Sequence, residues 1–108
     1  MVRRPFRQFD VFKNTDKRSG AAHPYLIVLQ SDAIAALDTC IVAPLVPPRT
    51  IEYLERLLPV VTVKRRNYVI AIPDMAAMPS SAVGEPVANL ENERYRIVAA
   101  IDLVFTGI

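Results

Sequence analysis

Pro59-Val60-Val61-Thr62-Val63-Lys64-Arg65-Arg66-Asn67-Tyr68-Val69-Ile70-Ala71-Ile72 is the stretch that decides the fold class. Two β-branched runs, Pro59 to Val63 and Tyr68 to Ile72, flank the polar residues Lys64 to Asn67, and this arrangement reads as a β-hairpin with a four-residue turn. Pro73-Asp74 ends the second strand. On the N-terminal side, Ile51 to Leu58 spaces its apolar residues as a turn of helix does, yet Pro59 cuts it short, so short irregular structure is expected. Thr39 to Leu45 reads as a strand stopped by Val46-Pro47-Pro48, and Tyr25 to Gln30 as a central strand that turns at Ser31-Asp32 into the short apolar segment Ala33 to Leu37. Gln8 to Phe12 alternates polar with apolar residues, the pattern of a strand with one buried face. Between those first two strands, Lys13 to Ala22 is polar and is expected to be a long mobile loop closed by His23-Pro24.

On the C-terminal side, Met75 to Val87 holds Pro79, Gly84 and Pro86 and is expected to be extended or looped rather than helical. From Leu90 the period changes to that of a helix. Leu90, Ile97, Val98, Ile101, Val104, Phe105 and Ile108 fall on one stripe, with Asn89 placed as N-cap, Glu91 and Glu93 in the first turn and Gly107 as the terminator. The expected fold is mainly β with one C-terminal α-helix, in one domain spanning residues 1–108.

With 52% hydrophobic and 22% charged residues, the 108-residue chain is richer in apolar side chains than a domain of its size needs, and covering the surplus by homodimerisation is the leading expectation. A net charge of +2 gives no general nucleic-acid footprint; basicity is local, at Arg3, Arg4 and Arg7, at Lys13, Lys17 and Arg18, and at Lys64 to Arg66. Cys40, alone, forms no intrachain disulfide and reads as a buried strand residue of a reducing compartment. No apolar run approaches the ~20 residues of a membrane span. Met1-Val2-Arg3-Arg4 leads into Pro5 rather than a signal-peptide core, so a cytoplasmic protein is expected.

Catalytic chemistry finds little to work with. One histidine and one cysteine far apart in sequence do not make a metal site, and His23, before a proline in a polar loop, has no nucleophile motif beside it. Three glycines make no phosphate-binding loop, and no cofactor is expected. Acid-base cleavage of RNA needs only a cation and a polar side chain converging on a phosphate, and Arg49-Thr50 and Arg65-Arg66 supply those residue types. Val104, Phe105 and Ile108 surround Thr106-Gly107 in the last turn; either Val104 and Phe105 pack on the sheet, or the helix tip is exposed for recognition.

The chain resembles the CcdB family of toxins from Gln8 to Ile108. The resemblance is carried by Gln8-Phe9-Asp10-Val11-Phe12, Leu29-Gln30-Ser31-Asp32-Ala33-Ile34, Val42-Ala43-Pro44-Leu45, Leu58-Pro59-Val60-Val61, Asp74-Met75-Ala76-Ala77-Met78-Pro79, Val83-Gly84-Glu85-Pro86-Val87-Ala88-Asn89-Leu90 and Ala100-Ile101-Asp102-Leu103-Val104-Phe105-Thr106-Gly107-Ile108. It implies an SH3-like barrel of the CcdB/MazF type and a two-fold dimer. Its helix ends would enter the cavity of the DNA gyrase A subunit and trap the cleaved gyrase-DNA complex, without catalysis. A CcdA-like antitoxin would neutralise it.

Carried over by position, the gyrase-facing set is Ala33, Ile34, Asp102, Phe105, Thr106, Gly107 and Ile108, and the antitoxin-facing set is Lys13, Lys17, Arg18, Thr106 and Ile108. Three positions depart from the family pattern: Thr106 stands for a tryptophan, Asp102 for an asparagine and Ala33 for an isoleucine. Losing an aromatic anchor commonly costs at least ~2 kcal/mol at an interface, so weak affinity for an ordinary gyrase is expected. The competing readings are a MazF-like endoribonuclease, for which arginine and serine or threonine should converge in a groove, and a CcdB-like protein that keeps its antitoxin surface but has lost gyrase poisoning.

Overall fold

The computed structural model describes residues 6–34, 36–48 and 56–108. Seven strands form one antiparallel sheet: β1 (Asp10–Lys13), β2 (Tyr25–Val28), β3 (Thr39–Val46), β4 (Val60–Val63), β5 (Arg66–Ile70), β6 (Ala76–Pro79) and β7 (Pro86–Asn89). The helix α1 (Arg94–Thr106) follows them. The strand order is β4-β5-β3-β2-β1-β7, with β6 also paired to β3. This mainly β, half-barrel sheet with one C-terminal helix is the class expected from the sequence.

β3 organises the sheet because it is long enough to serve three partners. One edge pairs with β2 from Val42 to Leu45; the other pairs with β6 from Thr39 to Val42 and then with β5 at Leu45 and Val46. Pro44 sits at the exchange. Its carbonyl accepts from Ala71 N at 2.9 Å, so its missing N–H also lies on the edge where one partner gives way to another, and no β2 ladder bond is lost.

The first strand departs from the expected single buried face. Val11 and Phe12 are both buried, on opposite sides of the sheet. On the helix side, Phe9, Val11, Ile27, Ala43 and Leu45 join Val61, Val63, Ile70, Ile97 and Ala100. On the other side, Phe12, Val28, Cys40 and Val42 pack with Phe6, Met78 and Val83. Side-chain alternation therefore holds, but both faces are covered: β6 and the turn after it fold over the second face, and Phe12 lies within 3.6 Å of where a Cβ on Gly84 would stand.

The hairpin turn is shorter than its polar residues suggest. Val63 pairs with Arg66, leaving only Lys64 and Arg65 in the loop, with φ of 53° and 68°. Two left-handed residues make the turn whose twist matches the strands it joins. Glycine or asparagine usually signals it, and a lysine and an arginine hide it at a cost of about 1–2 kcal/mol each. Phe9 is also left-handed, with φ of 69°, and is held by bonds from its N to Val28 O (2.7 Å) and from Leu90 N to its carbonyl (2.9 Å).

Met75 to Val87 is extended as expected, carrying β6, a 3-10 turn at Ser80–Ala82 and the start of β7. Of Ile51 to Leu58, residues 51–55 lie outside the described residues, as do Arg49 and Thr50.

Candidate partner-binding surfaces

The helix is where the apolar stripe parts from the core. Asn89 caps as expected, but one turn early: its Oδ1 accepts from Glu91 N at 2.9 Å and opens a 3-10 turn, Glu91–Glu93, from which α1 starts at Arg94. Ile97 and Ala100 are fully buried, and Val98 and Ile101 pack against the same core. Beyond them the stripe emerges, with Val104 37%, Phe105 69% and Ile108 85% exposed. The sheet therefore accounts for the first turns of the stripe and leaves the last uncovered.

The tip is shaped by its own hydrogen bonds. Gly107 adopts φ of 76° and its N–H bonds Leu103 O at 3.1 Å, the left-handed cap that glycine takes without strain. Thr106 Oγ1 donates to Asp102 O at 2.7 Å and accepts from Ile108 N at 3.4 Å. The threonine hydroxyl thus serves the turn, and Asp102, Thr106, Gly107 and Ile108 form one capped unit beside Phe105.

Ala33 and Ile34 lie in a different element, the 3-10 turn Asp32–Ile34 between β2 and β3. Sequence reading missed what holds it. Gln30, 7% exposed, donates from Nε2 to Thr39 O (3.2 Å) and Ile34 O (3.4 Å) and accepts from Ile41 N (3.2 Å), clamping both ends of the loop. Asp32 Oδ1 accepts from Gln8 N at 2.9 Å, and Ser31 Oγ from Ala33 N at 3.0 Å. The clamp leaves Ile34 and Leu37 about half exposed. The glutamine preceding Ser31-Asp32 was the available signal, since a polar residue ending an apolar strand must find partners if buried.

Gln8 ties that loop to the helix. Its side chain donates to Leu29 O (3.0 Å) and accepts from Arg94 (3.2 Å), while its carbonyl accepts from Asn89 Nδ2 (3.1 Å). Beside it the buried carboxylate of Asp10 accepts from Arg7 N (2.8 Å) and Asn89 Nδ2 (2.9 Å).

Lys13 ends β1, and Lys17 and Arg18 lie in the connection to β2; all three are exposed. That connection is cross-braced rather than open. Asn14 Nδ2 donates to Ser19 Oγ and His23 O, Asp16 accepts from Arg18 N and Ser19 Oγ, and Gly20 N bonds Asp16 O at 2.8 Å. A Cβ on Gly20 would come within 2.9 Å of Asp16 O, so glycine is needed there. The basic side chains therefore project from a built turn.

His23 is half buried against Asn14. Among the described residues, no cluster of three or more His, Cys, Asp or Glu is placed to hold a metal ion, and no helix is long and apolar enough to cross a membrane. A shallow cavity of about 300 Å³ is lined by Arg56, Pro59, Val60, Arg96 and Ala99. Among the described residues, it brings two arginines together with no serine, threonine or histidine. Arg65 and Arg66 stand exposed at the hairpin turn.

The fold is thus a β-sheet body whose single described α-helix ends in an exposed apolar tip capped by Gly107 and flanked by braced loops. A family profile described as CcdB protein matches residues 8–107, and the chain belongs to the CcdB family. That family supplies the toxins of toxin-antitoxin systems.

Proposed function

We propose that the protein is the toxin of a type II toxin-antitoxin pair, binding the DNA gyrase A subunit and trapping the cleaved gyrase-DNA complex as an inhibitor rather than an enzyme. The observation that carries this reading is the helix stripe that leaves the core: Phe105 and Ile108 are 69% and 85% exposed on a turn fixed by Gly107. An ordered apolar side chain in water is a loss for the isolated chain and a gain once a partner covers it. Asp102, Phe105, Thr106, Gly107 and Ile108 form the gyrase-facing tip, with Ala33 and Ile34 as a second contact presented by the Gln30 clamp.

The working unit is a homodimer in the cytoplasm, serving plasmid maintenance or its chromosomal counterpart. An acidic CcdA-like antitoxin contacts Lys13, Lys17 and Arg18 together with Thr106 and Ile108. Positive charge on a braced loop steers a carboxylate-rich tail at little ordering cost. Thr106, whose hydroxyl already serves the cap, contributes its methyl group to the tip, a smaller contact than an aromatic ring.

Induced expression in two otherwise identical strains tests the reading. Cells carrying the gyrase of the protein's own host should stop dividing, and cells whose copy of that gyrase A carries a resistance substitution at the dimer cavity should grow. Equal killing of both strains, with RNA fragmentation, would replace gyrase by RNA as the target.

A further inference from the structure

We propose that the open edge of β4 is a docking site for an extended acidic peptide, which adds as an antiparallel strand along Val60 to Thr62 and seats a carboxylate in the cavity between Arg56 and Arg96. Among the described residues, β4 is the terminal strand of the sheet order. In its pairing with β5, Val61 opposes Tyr68 and Val63 opposes Arg66, with Ile70 N bonded to Pro59 O at 2.9 Å. These are the hydrogen-bonded positions, so the N–H and C=O of Val60 and Thr62 point away from the sheet. Among the described residues, the backbone groups of Thr62 have no partner. An unpaired pair of donors and acceptors on an exposed strand is the template on which extended peptides add.

The chemistry along this edge selects an acidic chain. At one end lies the cavity with Arg56 and Arg96; at the other, the two-residue turn presents Lys64 and Arg65, with Arg66 next in line. Among the described residues the ion pair on this strip is Arg96 to Glu93, 2.7 Å. The remaining cations have no carboxylate partner among those residues, and the left-handed turn fixes the backbone that carries two of them. Alternate residues of a strand stand about 6.7 Å apart, so a peptide with acids at every second position places one near each end of β4.

Arg96 acts as the gate. Its guanidinium now donates to Val60 O at 2.8 Å, covering one of the outward acceptors. An incoming strand supplies a backbone N–H to that carbonyl and a carboxylate to the arginine, so the arginine exchanges a neutral acceptor for a charged one. Phosphate backbones also seek arginines, but they have no use for the unpaired backbone of Thr62 or the apolar side chain of Val60, and the peptide uses both.

The surface is separate from the helix tip, so its failure would leave the gyrase reading untouched. The probe is a blocked eight-residue peptide alternating glutamate and valine, titrated into the isotopically labelled full chain. Saturable binding should slow amide exchange at Val60 and Thr62 at least about tenfold, leave the Phe105 to Ile108 amides unmoved, and weaken with salt. A lysine-valine peptide should not bind. The same glutamate-valine peptide N-methylated on its pairing edge should lose at least about tenfold in affinity, as should Arg56→Gln with Arg65→Gln, while Phe105→Ala should bind normally. No protection at Thr62, equal binding of the N-methylated peptide, or tighter binding of a 20-base-pair DNA duplex through the same arginines would overturn the proposal.

Discussion

Replacing Phe105 by alanine separates a recognition role from a packing role, because the two put the free energy in different places. A fully covered aromatic side chain buries 150–250 Å². Phe105 keeps 69% of its surface in water, so complete cover by gyrase removes roughly 100–170 Å². At about 25 cal/mol/Å² that is roughly 2.5–4 kcal/mol, on the order of 50- to 1000-fold in Kd. Folding gains little from the same side chain, and alanine is the better helix former, so Phe105→Ala should change stability by no more than about 0.5 kcal/mol. Ile97, fully buried two turns back on the same stripe, supplies the contrast: Ile97→Ala should cost about 2–5 kcal/mol of stability. Calorimetric titration against a gyrase A fragment, paired with thermal unfolding of each variant, reads both quantities. If Phe105→Ala bound within threefold of the unsubstituted protein, or melted as early as Ile97→Ala, the tip would not be the recognition element.

Thr106→Trp should raise affinity for an ordinary gyrase A fragment and raise toxicity, further with Asp102→Asn; a weaker complex would mark Thr106 as a contact adapted to a different gyrase. Gly107→Ala places a Cβ at φ of 76°, where nothing lies within 4 Å, so backbone strain alone should cost about 1 kcal/mol, read from chemical denaturation. Gln30→Leu fills similar space but strips the loop of its clamp, and hydrogen exchange should quicken across residues 31–38 with a loss of about 1–3 kcal/mol. Charge reversal at Lys17 and Arg18 should lower antitoxin affinity and flatten its salt dependence, leaving gyrase binding alone.

The hairpin, the prolines that end strands, and the helical stripe were legible because each is a local pattern with a local cause. Both ends of α1 were legible in outline, since Asn89 and Gly107 have few other uses there. What the sequence hid was long-range. The alternation of Gln8 to Phe12 says nothing of what covers the second face, which β6 and Val83 supply from more than sixty residues away. The turn at Lys64 and Arg65 was hidden because neither residue announces a positive φ. Gln30 and Gln8, which position the loop bearing Ile34, looked like ordinary strand-end polar residues; only their acceptors on distant segments reveal the clamp. The stripe itself could not say where the core stops. Ile97 and Phe105 obey the same period, and only the sheet beneath one of them separates packing from recognition.

The central claim, that the helix tip holds gyrase on cut DNA, is tested most directly by gyrase reconstituted from both subunits with supercoiled plasmid and ATP. Adding the protein and then denaturing the enzyme with detergent should yield linear DNA in proportion to dose, and Phe105→Ala should yield at least about tenfold less at equal concentration. Unchanged supercoiled and relaxed bands at saturating protein, or as much linear DNA from Phe105→Ala as from the unsubstituted chain, would contradict it.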